Sequence, residues 1–201
     1  MKITRITQQQ KLQNRYSIFV DGKYSFSLSE SGLLESGLIS SQELTAEQIV
    51  EYKQLSADDK LYARALNYVA LRPRSIWEVE FYLKRKDAPP PLIEQITNKL
   101  QKIGLLDDRK FAESFVHDRR ILRSASKRKI QLELKKKHVA NDVIEQVLIE
   151  DETDEQAMLK ELIRRKKQQS KYRDDEPKLM HYLARQGFGY GDIKQALNDC
   201  D

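Results

Sequence analysis

Apolar and polar residues alternate along the first part of the chain in the manner of β-strands. Residues 16–20 form one apolar run, and residues 23–28 form a second in which aromatic or leucine positions alternate with serines. Asp21 and Gly22 separate the two runs, and both residue types tolerate positive φ. The pattern predicts a β-hairpin here, with a further short strand around residues 3–6.

Beyond the hairpin, the apolar positions recur every three or four residues, which is typical of amphipathic helices. A short helix is expected from Glu30 to Glu35. A second is expected from about Ala46 to Leu55. Thr45 and Gln48 fit a capping box at its start.

The remainder of the chain, from residue 59, has a helical pattern that repeats. Two sets of apolar residues recur at spacings of 51 and then 49 positions: Leu83, Leu134 and Leu183, and Ile93, Ile144 and Ile193. A period near 50 with three helices per copy indicates modular units that stabilise one another. The sequence therefore predicts a mainly α protein, with three tandem three-helix (helix-turn-helix-like) repeats in an elongated array and a small N-terminal β-hairpin extension.

We place the domain boundaries where turn signals interrupt the helical pattern. The hairpin and short helices occupy residues 1–58. Repeat 1 is expected at 59–105, repeat 2 at 106–150 and repeat 3 at 151–201.

Capping residues mark the helices inside the repeats. Ser75 and Glu78 form the pattern of a capping box at the start of the second helix of repeat 1. Ser126 is the expected N-cap of the matching helix in repeat 2, and Asn141 that of its third helix. Residues 171–176 are expected to form a loop in repeat 3.

Charge is distributed unevenly along the chain. The formal net charge is +5, yet residues 59–150 hold 20 Lys and Arg against 13 Asp and Glu, while the segments on either side are each slightly acidic. A basic middle favours a polyanionic or acidic partner. A solvated helical surface is the alternative explanation.

Little in the sequence points to catalysis. The three histidines lie at no metal-ligand spacing, and the single cysteine, Cys200, has no evident histidine partner. Residues 187–191 contain three glycines but lack a preceding strand, so Gly187 is better explained as a left-handed residue that ends a helix. We expect no enzyme activity, no metal and no cofactor.

The same composition indicates a cytoplasmic protein that does not bind membranes. One cysteine permits no disulfide framework, which suggests a reducing compartment. No apolar run approaches the length of a membrane span or a signal peptide.

The second helix of repeat 2, within residues 127–137, has two different faces. Ile130 and Leu134 point toward the core at helical spacing. The opposite arc is cationic, and Leu132 lies in the middle of it. An apolar residue there indicates contact with a partner or with a neighbouring repeat, although a solvated basic face is also possible.

Repeat 1 places aromatic residues at the matching positions. Trp77 and Phe81 correspond to Arg128 and Leu132. Packing against the N-terminal hairpin or helices is the favoured interpretation, and an aromatic anchor for a partner is the alternative.

Several of these segments together resemble the RecX family, from about residue 59 to 198. The resemblance lies in residues 72–75 with Glu78, Leu83 and Lys86, in residues 104–108 followed by Phe111, Ala112 and Arg119, in Ile130, 133–134, Lys137 and Val139, and in residues 183–188 with Ile193 and Leu197. The family usually has glycine after the second helix of a repeat. Asp87 and His138 depart from that pattern, and only Gly187 keeps it.

The resemblance implies a regulator that binds the RecA recombinase and the RecA–DNA filament and damps recombinase, ATPase and coprotease activity. We expect a monomer that binds single- or double-stranded DNA only weakly. Trp77 and Phe81 are a possible apolar contact. The predicted filament- or DNA-binding residues are Arg72, Arg74, Lys84, Arg85, Arg119, Arg120, Arg123, Arg128, Lys129, Leu132, Lys135 and Lys136.

Two other classes of function compete with a filament regulator. A basic helical module could bind DNA directly, since a three-helix unit resembles helix-turn-helix geometry. The basic helix has few of the residues that read base edges, so sequence-specific recognition is not expected. An enzyme is the third class and has the least support. Steep salt dependence on bare DNA would indicate the direct DNA binder.

Overall fold

The computed structural model describes residues 1–11 and 13–200. These residues form three strands, β1 (Ile3–Gln8), β2 (Arg15–Val20) and β3 (Lys23–Ser29). They also form helices α1 (Glu30–Ser36), α2 (Ala46–Ala70), α3 (Ile76–Lys84), α4 (Pro90–Lys102), α5 (Asp108–Arg123), α6 (Lys127–Lys135), α7 (Asn141–Glu150), α8 (Glu155–Lys167), α9 (Ser170–Arg173), α10 (Glu176–Arg185) and α11 (Tyr190–Asn198). The chain divides into two compact units, residues 1–71 with 82–99 and residues 72–81 with 100–201.

The N-terminal strands form an antiparallel sheet in the order β1-β2-β3. The predicted hairpin is confirmed, with Asp21 and Gly22 both at positive φ in its turn. Strand β1 pairs with β2 and completes a three-stranded sheet. A lone hairpin is marginal in water. Here the sheet buries its apolar face on the α1–α2 connection and the start of α2, in a core of Ile3, Ile18, Val20, Phe26, Leu28, Leu38, Leu44 and Ile49.

Helix α2 is much longer than the sequence predicted. It continues through Leu55 to Ala70 because no glycine or proline interrupts it. Its middle turn is tied to the sheet: Ser56 Oγ accepts a hydrogen bond from the Ser27 amide, and Arg15 forms an ion pair of 3.1 Å with Asp59. The predicted start at the Thr45 capping box is confirmed.

The second compact unit contains two complete three-helix cores. Helices α5, α6 and α7 enclose one around Phe111, Ile130, Leu134 and Ile144. Helices α8, α10 and α11 enclose another, whose buried members include Leu162, Leu179, Leu183, Phe188 and Ile193. The predicted mainly helical architecture of three-helix units is therefore confirmed.

Two local predictions were wrong. The N-cap of α7 is Ala140 rather than Asn141, and no side chain caps that helix. In repeat 3, the short helix α9 occupies the first half of the predicted loop at 171–176. Tyr172 is buried in the repeat 3 core, and this apolar anchor accounts for the ordered turn.

The second helices of the three repeats, α3, α6 and α10, are each followed by a residue in the left-handed conformation. These residues are Asp87 (φ 58°), His138 (φ 56°) and Gly187 (φ 94°). Left-handed backbone is costly for residues other than glycine, although Asp and His adopt it more readily than most. The turn geometry is thus retained where the glycine is not.

Candidate functional site

The second helices of repeats 2 and 3 meet end to end. At the start of α6, the Ser126 amide donates to the Gln186 carbonyl at 2.9 Å, and Lys129 Nζ donates to the Arg185 carbonyl at 2.7 Å. One amide at a helix start and one lysine ammonium thereby meet two carbonyls at a helix end. Gly187 allows this close approach, because a Cβ atom there would lie 2.3 Å from Ser126 Oγ.

The C-terminal end of α6 meets the start of α3 in a similar manner. Lys137 Nζ lies 2.7 Å from Glu78 Oε1, and the His138 ring stacks on Trp77 with 4.7 Å between ring centres. Trp77 also stacks on Phe81. Trp77 therefore packs on repeat 2, a contact that the sequence did not predict, while Phe81 is 48% exposed.

Glu78 is the most heavily bonded carboxylate at this junction. It accepts hydrogen bonds from the Ser75 amide, from Arg72 and from Lys137, and Ser75 completes the predicted capping box. Burial raises the pKa of Glu78, but the hydrogen bonds and charges of Arg72 and Lys137 outweigh it. The pKa of Glu78 consequently lies below its ordinary value.

Asp108, the first residue of α5, is a carboxylate with the opposite shift. It accepts a hydrogen bond of 2.8 Å from the Ile76 amide at the start of α3. Burial raises the pKa of Asp108, the neighbouring charges of Asp107 and Glu80 add to the rise, and the bond from Ile76 only partly offsets it. Asp108 thus supports the start of α3 at some electrostatic cost.

The outward face of α6 carries cations without intramolecular partners. The side chains of Arg128, Lys135 and Lys136 are exposed and make no hydrogen bond, ion pair or ring contact with the described part of the chain. Leu132 lies among them on the helix and is 53% exposed. We call these four residues the α6 outer face. Because Leu132 is exposed, it does not pack closely on a neighbouring repeat. Such packing was one of the two contacts proposed for this residue from the sequence.

Three of the predicted binding residues instead make intramolecular contacts, within repeat 2 for Arg119 and between repeats 2 and 3 for Arg120 and Lys129. Arg120 is buried, with ion pairs to Asp151 and Glu155 and a hydrogen bond to the Ala125 carbonyl. Arg119 pairs with Glu133. Lys129 contributes to the α6–α10 junction described above. Arg120 has no exposed donor to offer, so we omit it from the proposed surface.

The remaining predicted residues fall into two groups. Lys84, Arg85 and Arg123 are exposed, and their side chains make no hydrogen bond, ion pair or ring contact within the described residues. Arg72 is engaged with Glu78 at 3.1 Å, and Arg74 is half-buried.

A cleft between repeats 2 and 3 collects further cations. Its volume is about 600 Å³, and it is lined by Arg119, Leu122, Arg123, Lys129, Glu133, Arg165, Lys166, Tyr182 and Gln186. We call it the repeat 2–3 cleft. Arg165 and Lys166 were not among the predicted binding residues, although the sequence has four consecutive basic residues at 164–167.

Metal-ion clusters and membrane-spanning helices are absent from the described residues. Among residues 1–11 and 13–200, no three or more His, Cys, Asp and Glu side chains are grouped to hold a metal ion. None of the helices in those ranges has the length and apolarity needed to cross a bilayer.

A short sheet, tandem three-helix units and second helices joined end to end define a helical-repeat protein. Family models match its sheet and its first two three-helix units. Residues 1–45 match the regulatory protein RecX N-terminal domain, residues 62–100 the first three-helix domain of RecX, and residues 107–148 the second.

Individual relatives support the same assignment. Proteins named regulatory protein RecX are 33% identical in Bacillus pumilus and 35% in Oceanobacillus iheyensis, with at least 98% of this chain and 76% of each relative covered. The chain belongs to the RecX family of regulatory proteins. A relative in Lactobacillus johnsonii is 36% identical, and this chain spans 56% of its length.

Solved structures share the fold. A crystal structure of regulatory protein RecX superposes with a TM-score of 0.73 at 28% identity, over 98% of both chains. RecX from Lactobacillus salivarius superposes with a TM-score of 0.58 at 30% identity, over 72% of this chain and 96% of that one.

Proposed function

We propose that this protein is a non-enzymatic regulator that binds RecA and the RecA–DNA filament. It modulates, and mostly inhibits, recombinase, ATPase and coprotease activity in DNA repair and the SOS response. Membership of a family whose members are named regulatory proteins supports this proposal. In it the protein acts in the cytoplasm as a monomer, without a cofactor, and binds bare single- or double-stranded DNA weakly.

The α6 outer face is the observation that carries the proposal. Arg128, Lys135 and Lys136 have no carboxylate partner in the described chain, so their charge is available to a phosphate or an acidic protein surface. Exposed Leu132 adds an apolar contact among them. Cations around an exposed apolar residue fit a partner-binding surface better than a purely solvated face.

The secondary contact in this proposal comes from repeat 1. Phe81 is 48% exposed while its stacked neighbour Trp77 is held by His138. A rigid aromatic side chain loses little conformational entropy when it binds. Lys84 and Arg85 follow Phe81 in the same helix region and carry free positive charge.

Charge reversal on the α6 outer face tests the proposal. The triple variant Arg128→Glu, Lys135→Glu, Lys136→Glu keeps the core residues Ile130 and Leu134, so we expect its helical content and melting temperature to stay close to those of the parent. Its inhibition of RecA-catalysed ATP hydrolysis on single-stranded DNA should fall strongly, because three attractive contacts become repulsive.

A matched control separates this surface from the total charge of the protein. Lys102→Glu, Lys110→Glu, Arg164→Glu makes the same change in net charge at exposed positions on α4, α5 and α8. The control should inhibit nearly as well as the parent. If the α6 variant and the control inhibit equally, the α6 outer face is only solvated and the proposed site is wrong.

A further inference from the structure

The repeat 2–3 cleft is a second basic site, distinct from the α6 outer face. It lies where the last turns of α5 and α8 face the start of α6 and the side of α10. Five of the residues that line the cleft are cations, and Glu133 is the only carboxylate in the lining. The cleft belongs to one compact unit, so both of its walls are held by the α6–α10 junction.

Most of the positive charge in the cleft is unneutralised. The Arg123 side chain makes no hydrogen bond, ion pair or ring contact within the described residues. Arg165 donates one hydrogen bond of 3.2 Å to Ser124 Oγ, which leaves most of its five N–H donors free. Lys166 contacts only aromatic rings, with Nζ 4.7 Å from the centre of the Tyr182 ring. Glu133 is already paired with Arg119.

The density of charge favours phosphates over carboxylates. A nucleic-acid strand carries one fixed negative charge per nucleotide along its backbone. An acidic peptide places its charges on flexible side chains, and ordering those side chains costs conformational entropy. Guanidinium groups also match phosphate oxygens with two parallel N–H donors.

The cleft is not built to read bases. Its single aromatic residue, Tyr182, is covered by Lys166 and tilts against Tyr172 at 5.5 Å, so its ring is not open to a stacked base. Contacts to phosphates position a strand without carrying sequence information. We propose that the repeat 2–3 cleft binds a nucleic-acid strand through its phosphodiester backbone, without reading bases. This inference rests on the weak DNA binding in the proposed function and deepens it by naming the site that contacts the strand.

Binding of a labelled oligothymidylate of about 20 nucleotides, long enough for a site of this kind, tests the proposal with the full chain and no RecA. Fluorescence anisotropy at low salt compares the parent with Arg123→Glu, Arg165→Glu. The control Lys110→Glu, Arg164→Glu makes the same charge change on the same two helices, α5 and α8, outside the cleft.

We expect the cleft variant to lose about tenfold in affinity for each cation removed, because each makes a charge-assisted contact. Its plot of log affinity against log salt should be flatter by about 1.4, the equivalent of two phosphates of a single strand. The control should lose no more than about twofold to threefold, as expected of the long-range effect of net charge alone. Oligouridylate should bind like oligothymidylate.

Several results would overturn the assignment. Equal losses in the two variants would show that only net charge matters. Competition by polyglutamate as strong as that by the oligonucleotide, at equal charge, would assign the cleft to an acidic protein, and equally strong competition by inorganic triphosphate would assign it to free phosphate chains. If the reversal variant melts at a lower temperature than the parent, the variant Arg123→Gln, Arg165→Gln replaces it. We then expect a smaller loss of affinity, compared with the control positions changed in the same way. None of these results bears on RecA binding, which the α6 variants measure.

Discussion

At the α6–α3 junction, Lys137 Nζ lies 2.7 Å from Glu78 Oε1. At the α10–α6 junction, the corresponding positions are occupied by Gln186 and Lys129. Glu78 and Lys129 each lie three residues after the N-cap serine of their helix. Lys137 and Gln186 each precede the left-handed residue that follows theirs. The donor and the acceptor are exchanged between the two junctions, so one geometry joins successive repeats through two different pairs.

The ion pair at the α6–α3 junction should contribute to stability through coupling between its partners. In a double-mutant cycle of Glu78→Gln and Lys137→Met, we expect a coupling free energy of about 1 kcal/mol, since the carboxylate is buried while the ammonium is one-third exposed. Urea denaturation of the four proteins measures it.

Arg109 and Glu150 provide the control pair, also 2.7 Å apart but exposed on both sides. Their coupling should be smaller, because solvent screens an ion pair that is exposed on both sides. A larger coupling for the exposed pair than for Glu78 and Lys137 would contradict the role given to the junction.

The α10–α6 junction should be sensitive to a single methyl group. Gly187→Ala adds a Cβ atom 2.6 Å from Lys129 Cβ, at a residue whose φ is +94°. We expect a loss of about 2 kcal/mol or more in unfolding free energy, from left-handed strain together with overpacking.

The variant Gly104→Ala measures the cost of left-handed backbone strain without overpacking. Gly104 also has positive φ, but a Cβ there meets nothing within 4 Å. This variant should lose only about 1 kcal/mol. Thermal or urea melts compare the two variants, and equal losses would show that the close approach of the helices at Gly187 has no effect.

Acid should weaken the α6–α3 junction through Glu78. Its pKa in the folded protein lies below the ordinary value, so the stability it contributes is present at neutral pH and is lost as the pH falls through that lowered pKa. Between about pH 5 and pH 3, Glu78→Gln should therefore lose less unfolding free energy than the parent. Denaturation at a series of pH values checks this.

Asp108 should change the pH dependence of stability in the opposite direction to Glu78. Its pKa is raised by burial, so its protonation favours the folded state as the pH falls. Asp108→Asn should leave the protein with a steeper acid loss than the parent. Parallel curves for the parent and both variants would show that neither carboxyl is perturbed.

Leu132 should matter for binding rather than for folding. Because 53% of the residue is exposed, Leu132→Ser should change the unfolding free energy by no more than about 0.5 kcal/mol. Inhibition of RecA should weaken if Leu132 contacts the partner. Leu134 lies two residues further along α6, on its core face, and is fully buried. The variant Leu134→Ser should therefore unfold the repeat 2 core. Comparison of melts with inhibition curves distinguishes the two roles.

Much of the fold was predictable because local signals and tertiary packing agree. The hairpin turn at Asp21 and the capping box at Ser75 depend on neighbours in sequence, and both are confirmed. The full length of α2 was missed because its continuation is reinforced by tertiary contacts to Ser27 and Arg15.

The candidate surface was less predictable, since helical spacing cannot show which cations already have partners. Arg120 and Arg128 look equivalent in sequence, yet one is buried in ion pairs and the other is free. Arg165 joins Arg123 in one cleft only when repeats 2 and 3 pack together. Partners distant in sequence therefore decide which basic residues remain available.

Co-sedimentation with RecA filaments tests the central claim most directly. The parent protein is mixed with RecA assembled on single-stranded DNA, at a physiological ionic strength of about 0.15 M, and with the same DNA lacking RecA. We predict that the protein sediments with the filament and that little is retained on bare DNA at this salt. Equal retention on both would show that it is a direct DNA binder, and no retention on either would contradict a filament regulator.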